Sequence, residues 1–255
     1  MWDPARYERF RAEREQPFRD LLQLVGVRQP ERVADLGCGT GALTQDLHRT
    51  LQSQETTGVD SSPAMLQRAQ ALVEPGLSFV EADITVWTPS APLDVVFSNA
   101  ALQWVDDHHS LFERLARMLR PGGVLAVQMP ANYDHPSHTV AAEVALEEPF
   151  ASATGSYARV APVLAPEAYA ELLYRLGLID LHVELRVYCH ELESSAAVVE
   201  WVRGTLLTDY WVRMPEVMFD EYLARYRERL LAVIGDARPY LYAFKRILLR
   251  ARAPD

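Results

Sequence analysis

Residues 35–41 read Asp-Leu-Gly-Cys-Gly-Thr-Gly, an acid followed by three glycines in five positions, directly after the apolar Val33-Ala34. A strand that runs into such a turn brings bare backbone against a ligand. Two more acids close similar runs: Asp60 after Thr56-Thr57-Gly58-Val59, and Asp83 within Glu81-Ala82-Asp83-Ile84. In an open parallel sheet all three carboxylates fall at the carboxyl edge, where ligands bind. Asp35 and Asp60 suit cationic or hydroxyl-rich parts of a ligand, and Asp83 suits an exocyclic amine. The run Gly37–Ala42 also satisfies G-x-G-x-x-G/A, so a dinucleotide is formally allowed. A pyrophosphate gains nothing from three acids, whereas a cationic nucleoside gains much. A Walker loop is excluded, because no Gly-Lys-Ser/Thr follows and the single lysine, Lys245, lies near the C-terminus.

Other residue types offer less. His135-x-x-His138 has helical spacing and His108-His109 follow two aspartates, but no cysteine pair or H-E-x-x-H pattern accompanies them. Helix capping and surface placement are the expectation for these histidines, with no metal site. Arginines number two dozen against one lysine. Codon usage explains such a bias, and bidentate binding of a carboxylate ligand is the chemical alternative.

Composition sets the class. The 255 residues are 49% hydrophobic and 24% charged, enough for one large α/β domain with an insertion or small cap. A net charge of −10 without a basic stripe argues against nucleic acid as a partner. No apolar run approaches the ~18 residues that span a bilayer, and MWDPARYERFRAERE is too charged for a signal peptide. Two cysteines, Cys38 and Cys189, imply no disulfide framework, so a cytoplasmic location is expected.

The elements that must position the acids follow from periodicity. Strand-like runs at 32–37, 56–60, 77–84, 93–100 and 123–130 alternate with helix-like sequence, and their near-continuous apolar character predicts a parallel sheet covered on both faces. Ser61 or Ser62 can cap a helix opened by Pro63, and Pro121-Gly122-Gly123 reads as a turn. Helix 166–177, strand 181–192, a helical block rich in Trp, Tyr and Arg, and a last strand near 241–251 complete the chain. The expected organisation is one domain: an N-terminal helical segment (1–30), a core (31–130), a second-half core with a variable loop (131–192), a helical cap (193–238) and a final strand (239–255). At the N-terminus, Tyr7, Phe10 and Arg14 share one face of a helix that Asp3 caps and Pro4 opens.

The motifs DLGCGTG (35–41), GVDSSPAM (58–65), EADI (81–84), SNAALQW (98–104) and LRPGGVLAVQMP (119–130) resemble those of the Rossmann-type S-adenosylmethionine-dependent methyltransferases. That resemblance implies a doubly wound, mostly parallel seven-stranded sheet with S-adenosylmethionine as cofactor. It implies that Asp35 with Gly37, Gly39 and Gly41 holds the methionine end, and that Asp60 takes the ribose hydroxyls. Ser61 and Met65 would flank the adenine, Asp83 and Ile84 would contact its amino group and ring nitrogen, and Asn99, Ala100 and Trp104 would line the methyl-donor side.

The N-terminal segment, with SNAALQWV, AVQMPANYDHPSH and EWVRGTLL, further resembles the trans-aconitate 2-methyltransferases over nearly the whole chain. This implies esterification of a carboxylate on a small polycarboxylic acid, a reaction that needs no general base because the acceptor is already ionised. Candidate acceptor clamps are Arg14, Arg159, Arg203, Arg213 and Arg246, with Tyr7, Tyr157 and Tyr210 as hydroxyl donors and Trp104 beside them. Two departures matter. Thr208 and Asp209 stand where the family carries Arg-Pro, which predicts weaker tricarboxylate binding unless Arg213 compensates. Ala243-Phe244-Lys245-Arg246 replaces the family's Arg-Phe-Pro-Arg, keeping Arg246. Open alternatives are another acceptor (a different acid, a phenol, an amine or carbon) and a non-catalytic cofactor-binding protein.

Overall fold

The computed structural model describes residues 11–255, and their side chains from Glu15 onward. Seven strands form one sheet in the order β3-β2-β1-β4-β5-β7-β6, with β1 at Arg32–Leu36, β2 at Glu55–Asp60, β3 at Leu77–Glu81, β4 at Leu93–Asn99, β5 at Leu119–Pro130, β6 at Ile179–Leu192 and β7 at Tyr240–Arg252. Strands β1 to β5 pair in parallel and β7 runs antiparallel to β5, so the mostly parallel α/β sheet read from the sequence is the observed one. Parallel pairing brings Asp35 beside Gly58, Asp60 beside Glu81 and Asn99 beside Gln128.

By compactness the chain divides into two units. The first comprises Arg14–Ala131, Pro162–Arg186 and Arg246–Asp255. On one face of its sheet, Ala34, Val96, Leu125 and Leu249 pack with Leu111 and Leu115 of α4 (His108–Met118) and Tyr169 and Leu173 of α7 (Pro166–Arg175). On the other lies α1 (Arg11–Val25), which buries Phe18, Leu21 and Val25 at i, i+3 and i+7 and sets Phe18 edge-on to Phe97 at 5.6 Å. This helix continues through Pro17. A proline inside a helix costs about 3 kcal/mol, and the three buried apolar side chains beyond it offset that cost at about 1.5–3 kcal/mol each.

Local chemistry sets the other boundaries. After α2 (Ala42–Leu51), Ser62, not Ser61, is the N-cap of α3 (Pro63–Ala69), accepting from the Met65 amide at 3.4 Å. Strand β3 ends at Glu81, so Asp83 lies in the following turn rather than at a strand terminus. Pro121-Gly122-Gly123 does not precede β5 but interrupts it, between the pairs Leu93↔Leu119 and Val95↔Val124. Such a bulge is where a sheet tolerates proline.

The second unit takes Asn132–Ala161 and Val187–Lys245. The sequence reading drew the helical block at 193–238, yet α5 (Pro136–Ala145) and α6 (Phe150–Thr154) share its core with α8 (Ala197–Arg203), α9 (Thr208–Trp211) and α10 (Glu216–Ile234). Tyrosines explain the difference. Tyr222 and Tyr226 of α10 are buried and donate to the α5 carbonyls of Ala141 at 2.9 Å and Ser137 at 3.0 Å, so α5 is fastened to the block by hydrogen bonds as well as packing. No described helix is long and apolar enough to cross a membrane.

Candidate active site

Asp60 organises the glycine turn. Its Oδ2 accepts from the Gly39 amide at 2.8 Å and its Oδ1 from the Ser62 amide at 2.9 Å, so one carboxylate ties the turn after β1 to the start of α3. Both bonds are charge-assisted. Gly37, at φ +80°, abuts Ala101, whose Cβ would lie 2.1 Å from any Cβ placed there. Gly39, at φ +55°, faces the opposite situation, since a Cβ there would meet nothing within 4 Å. The turn is thus packed on one side and open at its tip, as a cradle for a ligand requires.

Asp35 lies beneath this turn, 4% exposed, with its Oδ2 accepting from the Thr44 hydroxyl at 2.6 Å. Burial raises its pKa to about 7, against the lowering by Thr44, and the charge of Asp60 raises it further. A cation brought to this pair of acids would reverse the effect. Cys38, between the acids, has its thiol pushed up by burial and by Asp35 and Asp60, so it is no nucleophile.

The rest of the cofactor set follows around this edge. Ser61 is exposed and Met65 half-buried. Asp83 is exposed, accepts from the amide and hydroxyl of Thr85 at 2.8 and 2.7 Å, and has its pKa lowered by those bonds; Ile84 is partly buried beside the sheet core. Ala100 adopts φ +55° and donates its amide to the Gln128 carbonyl at 2.9 Å, turning the chain sharply after β4. Trp104 is 50% exposed rather than core. Two buried acceptors beside it, Asn99 Oδ1 and Gln103 Oε1, have no hydrogen-bond partner among the described residues. A site with unfilled acceptors, ionisable acids and an open glycine tip fits a cationic, donor-bearing nucleoside and disfavours a pyrophosphate.

Comparison with known proteins agrees with this chemistry. A family model described as a methyltransferase domain matches residues 33–123. The chain is 42% identical to the trans-aconitate 2-methyltransferase of Deinococcus radiodurans, over 100% of this chain and 99% of that one. It is 38% identical to the enzyme of the same name from Escherichia coli, over 100% and 99%. The chain belongs to the trans-aconitate 2-methyltransferase family of S-adenosylmethionine-dependent methyltransferases. Among solved structures, the YcgJ protein of Bacillus subtilis matches with a TM-score of 0.62 at 15% identity, over 94% of this chain and 99% of that one. A phosphoethanolamine N-methyltransferase from Haemonchus contortus, in complex with S-adenosyl-L-methionine, matches with a TM-score of 0.57 at 20% identity, over 94% and 53%. At such identities these structures speak for the fold.

The candidate arginines have distinct surroundings. In the first unit, Arg246 is buried on β7 and donates from Nη1 to Gln128 Oε1 at 3.3 Å. Gln128, which the sequence reading did not single out, is wholly buried, and its Nε2 finds no acceptor among the described residues. In the second unit, Arg159 pairs through Nη1 with Asp209 Oδ2, Arg213 stacks 3.8 Å over the Tyr157 ring and donates to the Asp209 carbonyl at 2.6 Å, and Tyr210 accepts from the Arg159 amide at 3.3 Å. Arg203 stands apart from this group, 3.9 Å from Glu200 along α8. Tyr7 and the side chain of Arg14 lie outside the described residues.

Two histidine expectations need correction. His135 does cap α5, accepting from Ser137 at 3.0 Å, but His138 is half-buried rather than on the surface, and desolvation lowers its pKa to about 4. His108 is also buried: Nε2 meets the Leu102 carbonyl at 3.0 Å and Nδ1 the Tyr169 hydroxyl. Asp107, rather than either histidine, caps α4. Among the described residues no group of three His, Cys, Asp or Glu side chains is placed to hold a metal.

Proposed function

We propose that the protein methylates a carboxylate oxygen of a small polycarboxylic acid, with trans-aconitate as the lead acceptor, to give a methyl ester. The observation that carries this reading is full-length similarity near 40% identity to trans-aconitate 2-methyltransferases. When bound, S-adenosylmethionine supplies an electrophilic methyl group on a sulfonium, a leaving group that needs no protonation. Asp60, already fixed by two backbone amides, would accept the ribose hydroxyls. By the resemblance, Asp35 would face the methionine ammonium, Ser61 and Met65 would flank the base, and Asp83 would accept from its amino group.

The acceptor carboxylate is ionised at neutral pH, so the chain has only to hold one oxygen in line and exclude water. Asn99 and Gln128 are register neighbours at the carboxyl ends of β4 and β5, and Gln128 carries Arg246. This places a buried amide donor and a guanidinium beside the residue assigned to the methyl-donor side. Purified protein with S-adenosylmethionine and a panel of trans-aconitate, cis-aconitate, citrate, isopropylmalate and monocarboxylic acids should release S-adenosylhomocysteine, fastest with trans-aconitate, and yield a methyl ester by mass. Silence across the panel by protein that binds the cofactor would overturn the carboxylate reading.

The raised pKa of Asp35 gives this reading a pH signature. Its carboxyl titrates at about 7 in the free protein, and a bound ammonium favours the ionised form. Below that value a proton must leave before the ion pair forms, so affinity for S-adenosylhomocysteine should fall by up to roughly tenfold per pH unit, and it should level off above. Titration calorimetry across this range checks the slope. Asp35→Asn should flatten it and weaken binding on the alkaline side. A wild-type profile with no slope near neutrality would remove the ammonium from Asp35.

A further inference from the structure

Gln103 lies in the turn after β4, 6% exposed, with one end of its amide engaged and the other unpaired among the described residues. Nε2 donates to the Ala100 carbonyl at 2.7 Å. That bond fixes Oε1 as the unpaired end, because exchanging the two atoms would set oxygen against oxygen. The turn is pinned on three sides. The Ala100 amide donates to the Gln128 carbonyl at 2.9 Å, and the Leu102 carbonyl meets His108 Nε2 at 3.0 Å. Ala101 packs so closely on the glycine turn that a Cβ at Gly37 would fall 2.1 Å from its own. Asn99, the last residue of β4, holds a second buried oxygen without a partner among the described residues. Two unpaired acceptors beside the glycine turn carry a desolvation cost that a ligand donor would offset.

We infer that Gln103, together with Asn99, forms a cation subsite for the sulfonium methyl of the cofactor and so distinguishes S-adenosylmethionine from S-adenosylhomocysteine. The inference rests on the cofactor and on the reading of Asn99 at the methyl-donor side, and is independent of which acceptor is methylated. It follows by elimination of donors. In that reading the ribose hydroxyls go to Asp60, the adenine amino group to Asp83 and the ammonium to Asp35. An ionised carboxylate acceptor has no hydrogen to give. The donors that remain are the hydrogens of the methyl group, polarised by the positive sulfur. A C–H donor is weak by itself, but a cation set against amide oxygens away from water is also held by its charge. S-adenosylhomocysteine has a neutral sulfur and no methyl, so it leaves both oxygens unpaired. Gln103 therefore favours the loaded cofactor over the spent one.

Calorimetry on the full chain tests this with three ligands that differ at one group. S-adenosylhomocysteine has nothing at the subsite, S-adenosylmethionine has the sulfonium methyl, and sinefungin has a protonated amine there. Wild-type protein should bind sinefungin at least about tenfold tighter than S-adenosylhomocysteine, the scale of one hydrogen bond to a charged group. S-adenosylmethionine should fall between them. Gln103→Met keeps the length of the side chain and removes the oxygen. It should weaken sinefungin by about 10–100-fold and leave S-adenosylhomocysteine nearly unchanged, so that the preference collapses. Loss of the bond to the Ala100 carbonyl acts on all three ligands alike and cancels in the ratio. Gln103→Leu serves if the methionine variant does not fold. Equal wild-type affinity for sinefungin and S-adenosylhomocysteine would sink the subsite without any variant, and so would a wild-type preference that survives in folded Gln103→Met or Gln103→Leu. Wild-type protein that binds none of the three ligands would instead sink the cofactor reading itself.

Discussion

Asp60→Ala should weaken S-adenosylhomocysteine binding by about 10²–10³-fold, the largest loss from any single cofactor-site change. The carboxylate has two tasks that fail together. It holds the Gly39 and Ser62 amides at 2.8 and 2.9 Å, and by resemblance it accepts the ribose hydroxyls. Hydrogen bonds to a charged group contribute about 1.5–3 kcal/mol each, and losing one ribose bond while loosening the turn amounts to about 3–4 kcal/mol, which is the stated factor. Asp60→Asn is the sharper probe. It keeps the volume, but one oxygen becomes an NH₂ that faces an amide donor, so binding should still fall by at least about tenfold. Asp60 also raises the Asp35 pKa, so Asp60→Ala should move the midpoint of the binding pH profile downward. Affinity and midpoint both unchanged in a folded variant would take the ribose away from Asp60.

The parts of this fold that were legible are those written in local pattern. Buried parallel strands carry continuous apolar runs, and Val33–Leu36, Leu93–Ser98 and Val124–Met129 have almost no alternation to confuse the reading. The glycine turn was legible because Gly37, Gly39 and Gly41 all need positive φ, a demand that leaves its mark on residue type. The errors lie where tertiary burial decides. Nothing local separates a half-buried His138 from a surface one, and the cavity it lines is completed by distant segments, including Leu206 and Tyr210. The helical unit reaches back to α5 for the same reason, since the bonds from Tyr222 and Tyr226 to α5 span 81 and 89 residues of chain.

Gln128 left a signal that went unused. It is the one strongly polar side chain in the run Val124–Met129, which is otherwise apolar and buried on both faces. A polar group in that position carries a desolvation cost unless a partner meets it, so its presence in such a strand marks a site. Asp209 is the converse case. As sequence, Thr208-Asp209 in place of the family's Arg-Pro meant a cation lost and an anion gained, and weaker tricarboxylate binding was the expectation. In the structure it is the partner of Arg159, with Arg213 engaged on its carbonyl and on Tyr157.

Arg246→Ala should raise the acceptor's KM by at least about 10²-fold while S-adenosylhomocysteine affinity changes little. Arg246 is 5% exposed and shares a hydrogen bond with Gln128, whose own Nε2 is a buried donor lacking an acceptor among the described residues. An acceptor carboxylate reaching this pair takes one bond from the amide and others from the guanidinium fork, in surroundings where charge-assisted bonds are strong. Truncating such a buried partner costs about 2–5 kcal/mol. That loss belongs mostly to KM if Arg246 holds a carboxylate that does not react, because the contact is then the same in the ground and transition states. A matching fall in kcat would instead put Arg246 on the oxygen that receives the methyl group. Gln128→Leu separates packing from recognition: it keeps the buried volume, removes the waiting donor, and should raise KM about tenfold with the melting temperature nearly constant. If both substitutions act only on cofactor affinity, the Arg246–Gln128 pair belongs to the methionine end of the cofactor and the acceptor is bound elsewhere.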